Sequence, residues 1–251
     1  MKNDRNFDDL AQKFDANIYG TSKGRLRHEL LLHHLHNVVL VNNKPRNILD
    51  AGGGTGEMTR SLLALGHKVT LNDLSADSLD IAKDKCRLFP DVNYSHSSIH
   101  NLPKTQRYDL VICHAVLEWA SDQQQLLLDL IELTEVGGHI SLSFYNYDAQ
   151  LFSNMVYGNF EFVAQGMKKR NQVRLTPHSP AKPQNILSLL EQLPVNVVHK
   201  AGIRCFHDYV REKQLPNEKY DSLFQLEAKY GLEDPYLWLG KYFHIVIKRS
   251  A

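Results

Sequence analysis

Between Asn47 and Tyr145, short apolar runs alternate with amphipathic stretches. Ile48-Leu49-Asp50-Ala51 reads as a buried strand that ends in glycines, and Glu57 to Leu65 as the helix behind it. Lys68 to Asp73 is a second strand, and Leu74-Ser75 opens a helix that runs through Cys86. Val92 to His96 and Tyr108 to His114 predict strands three and four. A Leu-rich helix spans Asp122 to Leu133, and Gly137-Gly138 lead into a fifth strand, His139 to Tyr145. Strand and helix in steady alternation predict an α/β fold with a parallel, doubly wound sheet.

The flanks read differently. Phe7, Leu10, Ala11 and Phe14 fall at i, i+3, i+4 and i+7, a short amphipathic helix over Asp8 to Phe14. Thr21 or Ser22 then caps a helix to about Val39, with Leu26, Leu30, Leu31 and Leu35 on its apolar side. Beyond Asn146 the chain predicts a helix over Ala149 to Gln165 and a polar loop from Gly166 to Pro183. A helix over Gln184 to Leu193, a strand over Val195 to Arg204, a helix over Tyr220 to Tyr230 and a strand over Tyr242 to Lys248 complete it.

With 43% hydrophobic and 23% charged residues, the composition is globular and excludes a disordered chain. The 29 basic and 28 acidic residues leave a net charge of +1, so any nucleic acid must be held by a local patch. One patch is visible. From Ala164 to Pro183 every charged residue is basic: Lys168, Lys169, Arg170, Arg174 and Lys182. Such a run either holds phosphates or keeps a loop soluble. The cysteines Cys86, Cys113 and Cys205 are odd in number and widely spaced, which fits free thiols in a reducing compartment. His33, His34 and His36 share a helix without an i, i+4 pair, so no metal site is expected. Met1 to Phe14 is polar, without the apolar segment of a secretory leader, and no apolar run reaches the ~18–20 residues of a membrane span. The expectation is a soluble, cytoplasmic protein of unknown oligomeric state.

Asp50-Ala51-Gly52-Gly53-Gly54-Thr55-Gly56 lies between a strand and a helix. Glycines there permit positive φ and let backbone N–H groups approach a ligand. A dinucleotide GxGxxG counted from Gly52 would need glycine where Glu57 stands, and no GK[ST] triplet follows for a phosphate loop. What stands is DxGxGxG, with a second acid, Asp73, closing the next strand about 20 residues on. This pair resembles the class I S-adenosylmethionine-dependent methyltransferases. The resemblance implies a Rossmann-like, mostly parallel sheet with an antiparallel last strand and N-terminal helices. It implies S-adenosylmethionine as cofactor, held by Asp50, Gly52, Gly53 and Gly54 at its amino-acid end and by Asp73 and Leu74 at the ribose. Ser98 and Ile99 would flank the adenine, and His114 would sit where cofactor and acceptor meet. One methyltransferase domain over 1–251 is expected: a helical cap (1–44), the cofactor core (45–146) and a substrate side (147–251).

Asp4-Arg-Asn-Phe-Asp-Asp-Leu, Ile18-Tyr-Gly-Thr, His114-Ala-Val-Leu-Glu-Trp, Phe144-Tyr-Asn, Gly158-Asn-Phe and Arg204-Cys-Phe-His-Asp-Tyr narrow the match. Together they resemble the family of tRNA 5-carboxymethoxyuridine methyltransferases, over nearly the whole chain. The resemblance implies methyl esterification of the wobble-base carboxylate in tRNA, and an arginine, placed at Arg27, on the carboxylate of the cofactor. A carboxylate acceptor is ionised at neutral pH and needs a cation rather than a base. Arg204, with Tyr145 and His207, is the candidate group, although Arg204 can also simply pair with Asp208. Lys168, Lys169, Arg170 and Arg174 are the candidate contacts to the anticodon loop, with Tyr145, Tyr157 and Phe160 as stacking aromatics. Two other readings stay open: methylation of a free small molecule, and a cofactor-binding module without turnover.

Overall fold

The computed structural model describes residues 8, 11, 21–42, 44–167, 179–212 and 215–251. Its seven strands are β1 (Asn47–Ala51), β2 (Lys68–Asp73), β3 (Val92–His96), β4 (Tyr108–His114), β5 (Thr134–Tyr145), β6 (Val195–Ile203) and β7 (Tyr242–Arg249). They form one sheet in the order β3-β2-β1-β4-β5-β7-β6. β1 to β5 are parallel neighbours, and β7 runs antiparallel to both β5 and β6. The expected doubly wound sheet with an antiparallel last strand is present.

Successive strand residues point to opposite faces, and both faces are covered. Ile48, Leu110, Ile112 and Val246 pack with Leu26, Leu30, Leu31 and Leu35 of α1 (Ser22–Val38). Leu49, Val111, Ile140, Leu142 and Ile245 pack on the other face with Leu126, Leu127 and Leu130 of α4 (Gln123–Glu132). Thr21 caps α1 by accepting from Gly24 N at 3.3 Å, and Ser75 caps α3 (Ala76–Cys86) by accepting from Ser78 N at 3.1 Å. The helix α2 (Glu57–Ala64) follows β1 through the glycine turn.

Several boundaries differ from expectation. The helix expected over Ala149 to Gln165 is two, α5 (Tyr147–Val156) and α6 (Phe160–Ala164), because Gly158 takes φ 75° between them. β5 begins at Thr134, before the Gly137-Gly138 pair. Gly137 has φ 80°, and a side chain on Gly138 would sit 2.9 Å from the Glu135 carbonyl, so the two glycines let the strand bend without ending. β6 stops at Ile203 because Arg204 adopts φ 62°. The helices α7 (Pro183–Leu190) and α8 (Asn217–Tyr230) occupy the remaining two predicted spans, α8 starting three residues early. Of the expected Asp8 to Phe14 helix only Asp8 and Ala11 are described, the Asp8 carboxylate accepting from the Ser75 hydroxyl at 2.8 Å. Among the described residues no helix is long and apolar enough to cross a membrane.

Candidate active site

The carboxyl ends of β1, β2 and β4 open into one cavity, and the glycine turn forms its floor. Gly52 N and Gly53 N donate to the Asn72 carbonyl at 2.8 and 3.0 Å, which pins the turn to β2. Gly52 and Gly54 take φ 69° and 56°, the left-handed region that glycine enters without strain. Gly53 is needed for space instead: a Cβ there would lie 2.7 Å from the Asp50 carboxyl. Asp50 is buried beneath it and accepts from the Thr59 hydroxyl at 2.6 Å; burial pushes its carboxyl up to about 6.

Asp73 closes β2 with Oδ2 accepting from Gly54 N and Oδ1 from Ser75 N, both at 2.8 Å. Burial raises its carboxyl above the usual range, while these N–H bonds oppose the rise. The cavity wall continues through Leu74, Ser98 and Ile99 on one side and Arg27, His114 and Val116 on the other. All ten residues expected at the cofactor therefore line one cavity. The sequence reading missed Asn72, whose buried Oδ1 is without a hydrogen-bond partner while its amide nitrogen holds the Ser97 carbonyl at 2.8 Å. The alternation of Val69 and Leu71 with the polar Thr70 and Asn72 in β2 was the available signal.

A second group gathers beside this cavity, at the same edge of the sheet. Register aligns Tyr145 of β5 with Tyr242 of β7, and Tyr242 with Ile203 of β6, the residue before Arg204. Arg204 is buried and its guanidinium is paired with Asp208. Burial alone would raise Asp208, but the His207 hydrogen bond and the Arg204 charge hold its carboxyl well below the usual range. His207 Nε2 bonds the Ser22 hydroxyl at 3.1 Å, tying this turn to the start of α1. Glu227 of α8 accepts from Cys205 N, Phe206 N and His207 N at 2.6, 3.0 and 2.8 Å, so three backbone donors fix the whole turn. Lys241 places its ammonium 5.2 Å from the centre of the Tyr145 ring, and burial pulls its pKa down. Burial also pushes the Tyr145 phenol up.

Arg204, Tyr145 and His207 thus come together, with Asp208, Lys241 and Glu227 as partners; Lys241 and Glu227 carry no local sequence signal. The pairing of Arg204 with Asp208, the alternative open from the sequence, is realised. It does not exhaust the guanidinium, because Arg204 Nε is buried without a partner. Arg27 joins the two groups: it lines the cavity and donates to the Tyr242 hydroxyl at 3.2 Å. Glu118, in the turn after β4, is buried, and burial lifts its carboxyl to about 7. Lys168, Lys169, Arg170 and Arg174 lie outside the described residues.

The family profile described as "Methyltransferase domain" matches residues 48–138, the strands and turns that build the cavity. The tRNA 5-carboxymethoxyuridine methyltransferase of Escherichia coli (strain K12) is 38% identical over 252 residues, covering 98% of this chain and 97% of that protein. This chain belongs to that methyltransferase family. Its match therefore includes both residue groups, unlike the ubiquinone biosynthesis O-methyltransferase of Cronobacter sakazakii, which is 25% identical over 73% of this chain and 75% of its own length. Among solved structures, magnesium protoporphyrin IX methyltransferase from Synechocystis PCC 6803 with bound S-adenosylhomocysteine superposes with a TM-score of 0.65 at 15% identity, over 97% and 96% of the two chains. The N-methyltransferase NodS of Bradyrhizobium japonicum WM9, also with S-adenosylhomocysteine, gives 0.60 at 12% identity, over 96% and 97%. These two show the shared fold. The chain is an S-adenosylmethionine-dependent methyltransferase, and its glycine-floored cavity fits that cofactor: the buried cation Arg27, the acids Asp50 and Asp73, and Asn72 with its unpartnered amide oxygen line one cavity.

Proposed function

We propose that the protein methylates the carboxylate of 5-carboxymethoxyuridine at the wobble position of tRNA, forming the methyl ester. The full-length 38% identity with the Escherichia coli enzyme of that name carries the reading, because it spans the acceptor turn as well as the cofactor motif. S-adenosylmethionine supplies a methyl group already activated by its sulfonium. The acceptor carboxylate is ionised near neutral pH, so no general base is required; its oxygen forms the new bond to carbon as the carbon–sulfur bond breaks.

The residues of the chain bind and align. Arg27 meets the cofactor carboxylate, the Gly52–Gly54 turn lies against the amino-acid end, Asp73 accepts from the ribose hydroxyls, and Leu74, Ser98 and Ile99 flank the base. Arg204 and Lys241 hold the acceptor carboxylate. Asp208 and Glu227 keep the Arg204 turn rigid, and His207 ties it to α1, so the cations orient the acceptor at little entropic cost. Tyr145 lies beneath Lys241 and steadies its ammonium through a cation–π contact. The basic run at 168–174 holds phosphates around the anticodon loop, a contact that weakens as salt rises. A soluble protein working where tRNA is modified, in the cytoplasm, completes the reading.

The test uses tRNA carrying 5-carboxymethoxyuridine with methyl-labelled S-adenosylmethionine, followed by digestion and mass analysis of nucleosides. One added methyl on the carboxymethoxy nucleoside, lost in mild alkali, is the expected outcome. No label in any tRNA, with cofactor binding intact, overturns the reading in favour of a small-molecule acceptor.

A further inference from the structure

α5 exposes an apolar stripe that no other described element covers. Leu151, Phe152, Met155 and Val156 stand at i, i+1, i+4 and i+5 and are all exposed; Tyr157 and Phe160 continue the stripe and are 58% and 61% exposed. Monomeric proteins seldom leave so contiguous an apolar surface open without a use. The stripe is also joined to the acceptor turn. The Tyr157 hydroxyl donates to the Asp208 carbonyl at 2.6 Å, the Tyr157 and Tyr209 rings stack 6.2 Å apart, and Phe152 meets Tyr209 edge-on at 5.7 Å. Asp208 is the partner of Arg204, so the stripe begins where the acceptor carboxylate would be held.

Its surroundings favour a polyanion. The basic run leaves the described chain at Met167, just past α6. The chain returns at Ser179, whose N–H donates to the Glu118 carbonyl at 3.2 Å beside the cofactor cavity. Between these two placed ends every charged residue is basic. Lys182 stands 5.0 Å over the Tyr147 ring at the first turn of α5. Flat aromatic faces bordered by cations are what single-stranded nucleic acid seeks, since every base has a face to stack.

The geometry points to the α5–α6 stripe, centred on Tyr157 and Phe160, as a stacking platform for unpaired anticodon-loop bases next to the wobble position. This deepens the tRNA reading above and rests on it. Stacking splays the loop, and the tie through Asp208 places the splayed wobble nucleotide at Arg204.

The experiment measures binding of full-length protein to an anticodon stem-loop RNA carrying 5-carboxymethoxyuridine, across a salt series, together with methylation of the corresponding tRNA. Phe160→Ala is expected to weaken RNA binding about tenfold, and to raise KM more than it lowers kcat. The salt slope should stay unchanged because no phosphate contact is lost. Phe160→Trp should bind as well as the parent or better, and cofactor affinity should be the same in all three proteins. If the parent methylates tRNA and Phe160→Ala binds the RNA equally well, the platform is wrong while the substrate reading stands. If the parent is a dimer that Phe160→Ala splits without changing RNA affinity, the stripe is a contact between copies and the platform is likewise overturned. If the parent binds cofactor but neither binds nor methylates RNA, the substrate reading falls and takes the platform with it.

Discussion

The two halves of the site are built by opposite means. The cofactor side is made largely of backbone: the Gly52 and Gly53 amides bond the Asn72 carbonyl, and the Asp73 carboxylate takes the amides of Gly54 and Ser75. The proposed acceptor side is made of side chains from four separated segments, carrying Tyr145, Arg204 to Tyr209, Glu227 and Lys241. A backbone site needs residues that permit unusual φ or leave space, and these fall at fixed short spacings. A side-chain site needs only that sheet register bring distant positions together, as β7 does for Tyr145, Tyr242 and Ile203. The first kind of site is encoded by local spacing, the second by sheet register.

Replacing Arg204 tests the acceptor side and carries the largest expected effect. Arg204→Ala removes one partner of a buried charge pair, and such truncations cost about 2–5 kcal/mol. Methylation of tRNA, read as kcat/KM, should fall by about 100-fold or more while calorimetric cofactor affinity is unchanged. Arg204 also occupies the left-handed region at φ 62°, where a side chain is strained by on the order of 1 kcal/mol. Arg204→Gly should therefore be as inactive as Arg204→Ala but more stable to heat. If Arg204→Ala lost cofactor binding in step with turnover, the two halves would not be separable.

Gly53→Ala is the mirror experiment. The added methyl carbon would lie 2.7 Å from the buried Asp50 carboxyl, and overpacking of this kind costs about 1–3 kcal/mol. Cofactor affinity should weaken by about tenfold to 100-fold, with RNA binding by the apo protein untouched. Unchanged cofactor affinity would mean that Asp50 can swing away and that the floor is not rigid.

How much could be read in advance follows the same division. The Asp50–Gly56 motif, Asp73 and strands β1, β2 and β4 were legible because local spacing encodes them. The edges of β5 and the break in the α5–α6 stretch were not. At Gly137 glycine bends a strand instead of ending it, and at Gly158 it ends a helix inside an apolar run; the residue type alone does not distinguish the two. Arg204 entered through family resemblance. Its fixing by Glu227 and its neighbour Lys241 were invisible, since nothing near either position in the chain marks them.

The smallest expected effect concerns a buried histidine layer next to the cavity. His114 lines the cofactor cavity and bonds the Ser141 hydroxyl at 2.8 Å; Ser141 in turn bonds His244 of β7 at 2.9 Å. The His34 and His199 rings complete the layer, 5.8 and 5.9 Å from His244, and are hydrogen-bonded to each other at 3.2 Å. Burial holds these rings neutral: His34 and His114 are lowered from 6.5 to about 3, and His244 is lowered well below 6.5, with Arg27 and His28 adding repulsion at His114. The unfolded chain takes up these protons near pH 6.5 and the folded chain does not. His34 and His114 therefore each contribute stability that is intact above pH 6.5 and is lost as pH falls toward 3, about 2 kcal/mol by pH 5. Asp50 and Glu118, raised by burial to about 6 and about 7, act in the opposite sense over an overlapping range, so the parent curve alone does not isolate the histidines. The difference between parent and His34→Gln does. Urea unfolding at pH 8 and pH 5 should show the variant losing about 2 kcal/mol less than the parent across that interval. Parallel losses would mean that His34 takes its proton inside the fold, and that the histidine layer tolerates charge.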